Sequence, residues 1–165
     1  MKYFFLLIVI FLTSCGSPDI PHDIDPYFDK FLVHFKHDAD AYGIDYGDIR
    51  DITIIKFGDV SNSDRQSECK VHEISNRYFG INTVYKEITF QDYVKNLDEQ
   101  MQYQLFLHEI GHCAYHLGHN PQKYTIMYSY GIEIPILDFK NQLKIYFDDA
   151  KSNRKNWFSF DPTTP

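Results

Sequence analysis

Four of the chain's eight histidines fall between His108 and His119, in the stretch HEIGHCAYHLGHN. Within it, His108-Glu109-Ile110-Gly111-His112 has the pattern H-E-x-x-H. Residues four apart share one face of a helix, so two imidazoles at this spacing reach the same point and the glutamate beside them is placed to act as a general base. The chemistry this favours is zinc ligation with an activated water. The bland reading of the same residues is a buried helix whose histidines are satisfied by ordinary hydrogen bonds.

Zinc takes a third protein ligand at such a site, and His116 and His119 both follow. On an unbroken helix His116 lies eight residues from His108, ~12 Å along the axis. Two ligands of one zinc lie within roughly 3 to 4 Å of each other, which removes His116. Gly118 can adopt the left-handed conformation that ends a helix and turns the chain back. That reversal brings His119 toward the first two rings, so His108, His112 and His119 are the expected ligands. The other arrangement takes a glutamate from a second helix. Glu133 is the only glutamate after Glu109, and Pro135 biases the intervening Ile134 away from helix, so His119 is preferred.

A helix bearing H-E-x-x-H, a glycine turn, a third histidine and then Tyr124-Thr125-Ile126-Met127-Tyr128 resembles the metzincin clan of zinc metallopeptidases, with Met127 in the clan's Met-turn. The resemblance covers about Asp92 to Ile145, and Met127 stands eight residues beyond His119, as in matrixin-like members. It implies a zinc-dependent endopeptidase in which the metal acidifies a water to a pKa of about 7 and polarises a peptide carbonyl. Glu109 would take the water's proton and pass it to the leaving amine, and Met127 would form an apolar floor under the histidines.

The clan's usual pattern is H-E-x-x-H-x-x-G-x-x-H. Here one extra residue precedes the third histidine, and the glycine stands directly before it. H-E-x-G-H-C followed by a histidine at this longer spacing resembles a group of small bacterial metallopeptidases. Some metzincins carry a zinc-approaching tyrosine two residues after the methionine; Ser129 occupies that place, so no tyrosine ligand is expected. The competing class is a non-catalytic, lipid-anchored binding or structural protein that keeps zinc to stabilise its fold. A closed structural site fills all four positions with Cys or His and has no use for Glu109.

Several elements must position these residues. Asp25-Pro26 signals a helix start, and Phe28, Phe31, Leu32, Phe35 and Ala39 follow at helical spacing up to Tyr42-Gly43. Strand-like pieces follow at Ile52 to Phe57, Cys69 to Ile74, Arg77 to Val84 and Lys86 to Phe90. Asn96 and Glu99 read as a capping box for a helix from Leu97 to Leu117, apolar on two sides and so buried. Ile136, Phe139, Leu143, Tyr146 and Ala150 mark a last helix, with an aromatic tail around Trp157. The expected fold is α+β: a small twisted mixed sheet, an N-terminal helix, a long site helix, the Met-turn and a C-terminal helix.

The N-terminus has Lys2, an apolar run from Tyr3 to Leu12 and then Cys15. That run is too short for a bilayer, which needs roughly 20 residues, but suits an export signal. Leu12-Thr13-Ser14-Cys15 resembles a bacterial lipobox, which implies cleavage before Cys15 and its acylation; an ordinary secretory signal is the alternative. Gly16 after the cysteine resembles outer-membrane sorting. Residues 1–14 are thus expected to be a signal, 15–24 a tether and 25–165 one catalytic domain. The expected location is the bacterial envelope, with a peptide or protein substrate outside the cytoplasm.

With a net charge of −7, a pI near 5.5 and no run of five like charges, the chain lacks the cationic surface that nucleic-acid binding requires. Cys69 and Cys113 remain as an even pair in a compartment that permits disulfides. A bridge would tie the site helix to the strand near Cys69; two buried thiols are the alternative. His22, His34, His37 and His72 have no partners at metal spacing and read as surface or packing residues.

Overall fold

The computed structural model describes residues 20–76, 81–128 and 136–158. Cys15 with its lipobox, Arg77, Ser129 and Glu133 lie outside the described residues.

Asp25 accepts a hydrogen bond from Tyr27 N at 2.9 Å and opens a 3-10 turn over Pro26–Phe28. The chain then continues into α1, Asp29–Tyr42. Phe31, Phe35 and Ala39 are its buried face, and Gly43 closes it in the left-handed conformation at φ 68°. Start, face and stop agree with the sequence, apart from the tighter first turn.

Four strands form one mixed sheet: β1 Asp23–Ile24, β2 Ile52–Phe57, β3 Ser67–Asn76 and β4 Ile81–Phe90, in the order β1-β2-β4-β3. β1 and β4 run parallel to β2, and β3 pairs antiparallel with β4 from Ser67↔Phe90 to Asn76↔Ile81. The break expected between Val84 and Lys86 is absent, because β4 runs through Tyr85 without interruption. Pleating puts Lys86 and Glu87 on opposite faces, so two adjacent charged residues interrupt nothing. On one face Cys69, Ile88 and Phe90 meet the helices. On the other, the Glu87 carboxylate accepts from Lys56 at 2.9 Å and lies 3.0 Å from His72 Nε2.

The second helix, α2, spans Glu99–Tyr115. Its cap is Asp98, whose carboxylate accepts from Met101 N at 2.9 Å, and not Asn96, which instead ends a 3-10 turn over Asp92–Asn96. From Gln102 to Gly111 every residue is buried, as two apolar stripes require. The last helix, α3, runs Ile136–Phe158 and buries Leu143, Tyr146, Phe147 and Ala150. The backbone stays helical through Trp157, so the expected tail is part of α3.

The core is aromatic. Phe28 stacks on Phe57 and Phe90 at 4.7 and 5.0 Å, and Phe31 lies 5.8 Å from Phe106 of α2. Helix α2 is thereby held between the sheet on one side and α1 and α3 on the other. Across the described residues the fold is α+β, with a small mixed four-stranded sheet and three helices.

Candidate metal centre

The site is built on the last two turns of α2 and the loop that follows. His108 and His112 stand one turn apart, and their Nε2 atoms lie 3.0 Å from each other. The helix ends at His116, not at Gly118. His116 takes the left-handed conformation at φ 53°, and its N–H and that of Leu117 both reach the Gly111 carbonyl. Gly118 has no positive φ, so the glycine expected to turn the chain is not the residue that turns it.

Two things follow from a reversal at this point. The Leu117 carbonyl comes back over the helix end to 2.7 Å from His112 Nδ1, and His119 swings in so that its Nε2 is 3.1 Å from His112 Nε2. His116 itself, as the exposed capping residue, stays out of the cluster. Helical distance alone excludes His116 from the cluster; in the fold it is excluded because it forms the corner.

A second segment sets the other ring. Asn120 N donates to the Met127 carbonyl at 2.7 Å, closing the loop between the third histidine and the methionine turn. The Ile126 carbonyl then lies 2.7 Å from His108 Nδ1. Met127 is buried with its sulfur against Gly111, where an added Cβ would come within 2.6 Å of Sδ and 3.1 Å of Tyr146. A side chain at residue 111 would thus push Met127 away from the helix directly beside the histidines. Tyr146 of α3 donates to the Leu107 carbonyl at 2.8 Å, fixing α2 from behind at this level.

Protonation follows from these contacts. A carbonyl oxygen can only accept, so Nδ1 of His108 and of His112 carries the proton, and in a neutral ring Nε2 is then a bare lone pair. Both rings are held neutral: burial pushes His108 down to about 4, and burial likewise lowers His112. The bare nitrogens of His108 and His112, 3.0 Å apart, repel each other unless a cation lies between them, and His119 Nε2 lies 3.1 Å from that of His112. The three donor atoms lie within 4.8 Å of one another, and His108, His112 and His119 can together hold a metal ion. Among the described residues no fourth His, Cys, Asp or Glu joins them.

Glu109 is only 3% exposed. Its Oε1 accepts from Ser67 Oγ at 2.7 Å, and its Oε2 is buried with no hydrogen-bond partner among the described residues. Burial raises its pKa to about 7; Glu68 adds to that rise, and the Ser67 hydrogen bond and the Arg65 charge oppose it. A carboxyl poised near neutrality is suited to accept and return a proton.

Cys69 of β3 and Cys113 of α2 are joined by a disulfide, with Cα atoms 5.7 Å apart. The bridge rules both sulfurs out as metal ligands. Ser67 and the two orienting carbonyls carry no local signal in the sequence, and Tyr146 is marked there only as part of an apolar helix face. Gly111 stands in the H-E-x-G-H-C pattern, but its close approach to Met127 is set by packing and has no sequence signal. The chain matches no protein-family model, no curated protein and no solved structure.

Proposed function

We propose that the chain is a zinc-dependent endopeptidase of metzincin-like site layout, anchored in the bacterial envelope through an acylated Cys15. The observation that carries this reading is the convergence of three imidazole nitrogens beside a buried carboxylate with one oxygen unengaged. An all-nitrogen donor set with separations near 3 Å suits zinc. When bound, zinc at three histidines keeps a position for water, lowers that water's pKa to about 7 and polarises a carbonyl.

The chain's own residues do the rest. The Ile126 and Leu117 carbonyls fix the tautomers of His108 and His112 so that Nε2 faces the metal. Glu109 Oε2 accepts the proton from the attacking water and delivers it to the leaving amine. Met127, packed on Gly111, keeps an apolar surface against the helix beside the ligands.

The test is a panel of variants measured for bound zinc and for cleavage of a broad peptide library. Ala at His108, His112 or His119 removes most of the metal, whereas His116→Ala keeps it. Glu109→Gln keeps the metal and loses hydrolysis, because an amide fills the space but takes no proton. Zinc lost with His116→Ala and kept with His119→Ala overturns the ligand set. Zinc held by wild type, with no hydrolysis of any peptide or protein, indicates a structural site instead.

A further inference from the structure

The two oxygens of Glu109 are not equivalent. Ser67 Oγ donates to Oε1 at 2.7 Å, while Oε2 has no partner among the described residues. Ser67 opens β3 and is buried, 8% exposed. Cys69 lies two residues on along the same face of that strand, and Cys113 lies four residues on from Glu109 along the same face of α2. The hydrogen bond and the disulfide therefore join the same strand to the same helix at neighbouring rungs. The covalent rung fixes the register at which the hydroxyl meets the carboxylate. A carboxylate gripped at one oxygen by a buried strand presents only its other oxygen as an open acceptor.

We propose that Ser67 is a positioning residue for the general base: it pins Oε1, so that Oε2 is the one oxygen that takes the proton. This rests on the peptidase reading above and adds to it a residue 42 positions away in sequence.

Steady-state hydrolysis by zinc-loaded, full-length Ser67→Ala and Ser67→Thr tests it. Alanine should keep the zinc and leave KM within about twofold, yet lower kcat by about 10- to 100-fold, the scale on which a misplaced catalytic group acts. Threonine restores the hydroxyl and should recover most of that loss. An unchanged kcat in Ser67→Ala overturns the proposal, as does an equal loss in both variants, which would mean that packing alone matters.

A second measurement needs no activity. Ser67→Ala and Glu109→Ala, singly and combined, are unfolded in denaturant after metal removal. Two partners of one hydrogen bond give non-additive changes; additive changes overturn the pairing. A wild type that binds zinc and cleaves nothing, with that coupling intact, overturns the peptidase reading and leaves the pairing itself standing.

Discussion

At the scale of single residues, the centre sets two titrations against each other. In the metal-free protein His108 titrates near 4 because burial disfavours its charged form, against an ordinary value of about 6.5. The unfolded chain therefore binds more protons there, and stability falls as pH drops from about 6.5 toward 4. Glu109 works the other way, being raised to about 7 by burial from about 4.3. Its contribution is fully present below about pH 4 and is lost as pH rises through about 7. The two oppose each other, and His112, also lowered by burial, adds to the His108 side, so wild type should lose stability only gently with acid between pH 4.5 and 6.5, within the roughly 4 to 7 span of these values. Glu109→Gln removes one of the opposing groups and should lose stability steeply with acid over that window. Denaturant midpoints of both chelated proteins across pH check this, and parallel profiles would refute it. The histidine cluster was legible in sequence because it is local: all three histidines and Met127 fall within one helix end and one loop. Ser67 was not, since only packing of β3 on α2 makes a lone serine the partner of Glu109.

At the scale of elements, reading failed where a common residue was expected at a special place. Helix ends favour glycine at the left-handed position, and Gly118 is the glycine at hand. The chain instead places His116 there, at a conformational cost of roughly 1 to 2 kcal/mol for a non-glycine residue. Reversing two residues earlier is what lets the Leu117 carbonyl reach His112 Nδ1. The capping box was misread for a similar reason, because Asn96 belongs to the preceding 3-10 turn and Asp98 has the geometry to accept from Met101 N. Helix faces were read correctly, since Phe31, Phe35, Leu143 and Tyr146 follow a period that burial alone enforces. The disulfide links elements 44 residues apart, and a loop of that length corresponds to about 4 kcal/mol of lost unfolded-state entropy. Replacing Cys69 and Cys113 together with serine should lower the unfolding free energy by an amount of that order. Denaturant unfolding of the oxidised wild type against the double variant measures it, and matching midpoints would mean the bridge stabilises nothing.

At the scale of the whole molecule, no helix among the described residues is long and apolar enough to cross a membrane. The proposed attachment is through Cys15. Wild type should sediment with membranes, and Cys15→Ser should be released or left unprocessed; a wild type found entirely in the soluble fraction would remove the anchor from the reading. The disulfide has a further consequence if the proposed peptidase acts on its own chain. Cys69 and Cys113 close a covalent ring that holds β4 and most of α2. Self-digestion at a bond inside that ring opens it without shedding a fragment. A cut before His108 would leave all three ligands on one contiguous piece, still tied to β3. Aged preparations should run as a single band on a non-reducing gel and separate into two only after reduction, so that autolysis within the ring goes unseen unless the sample is reduced.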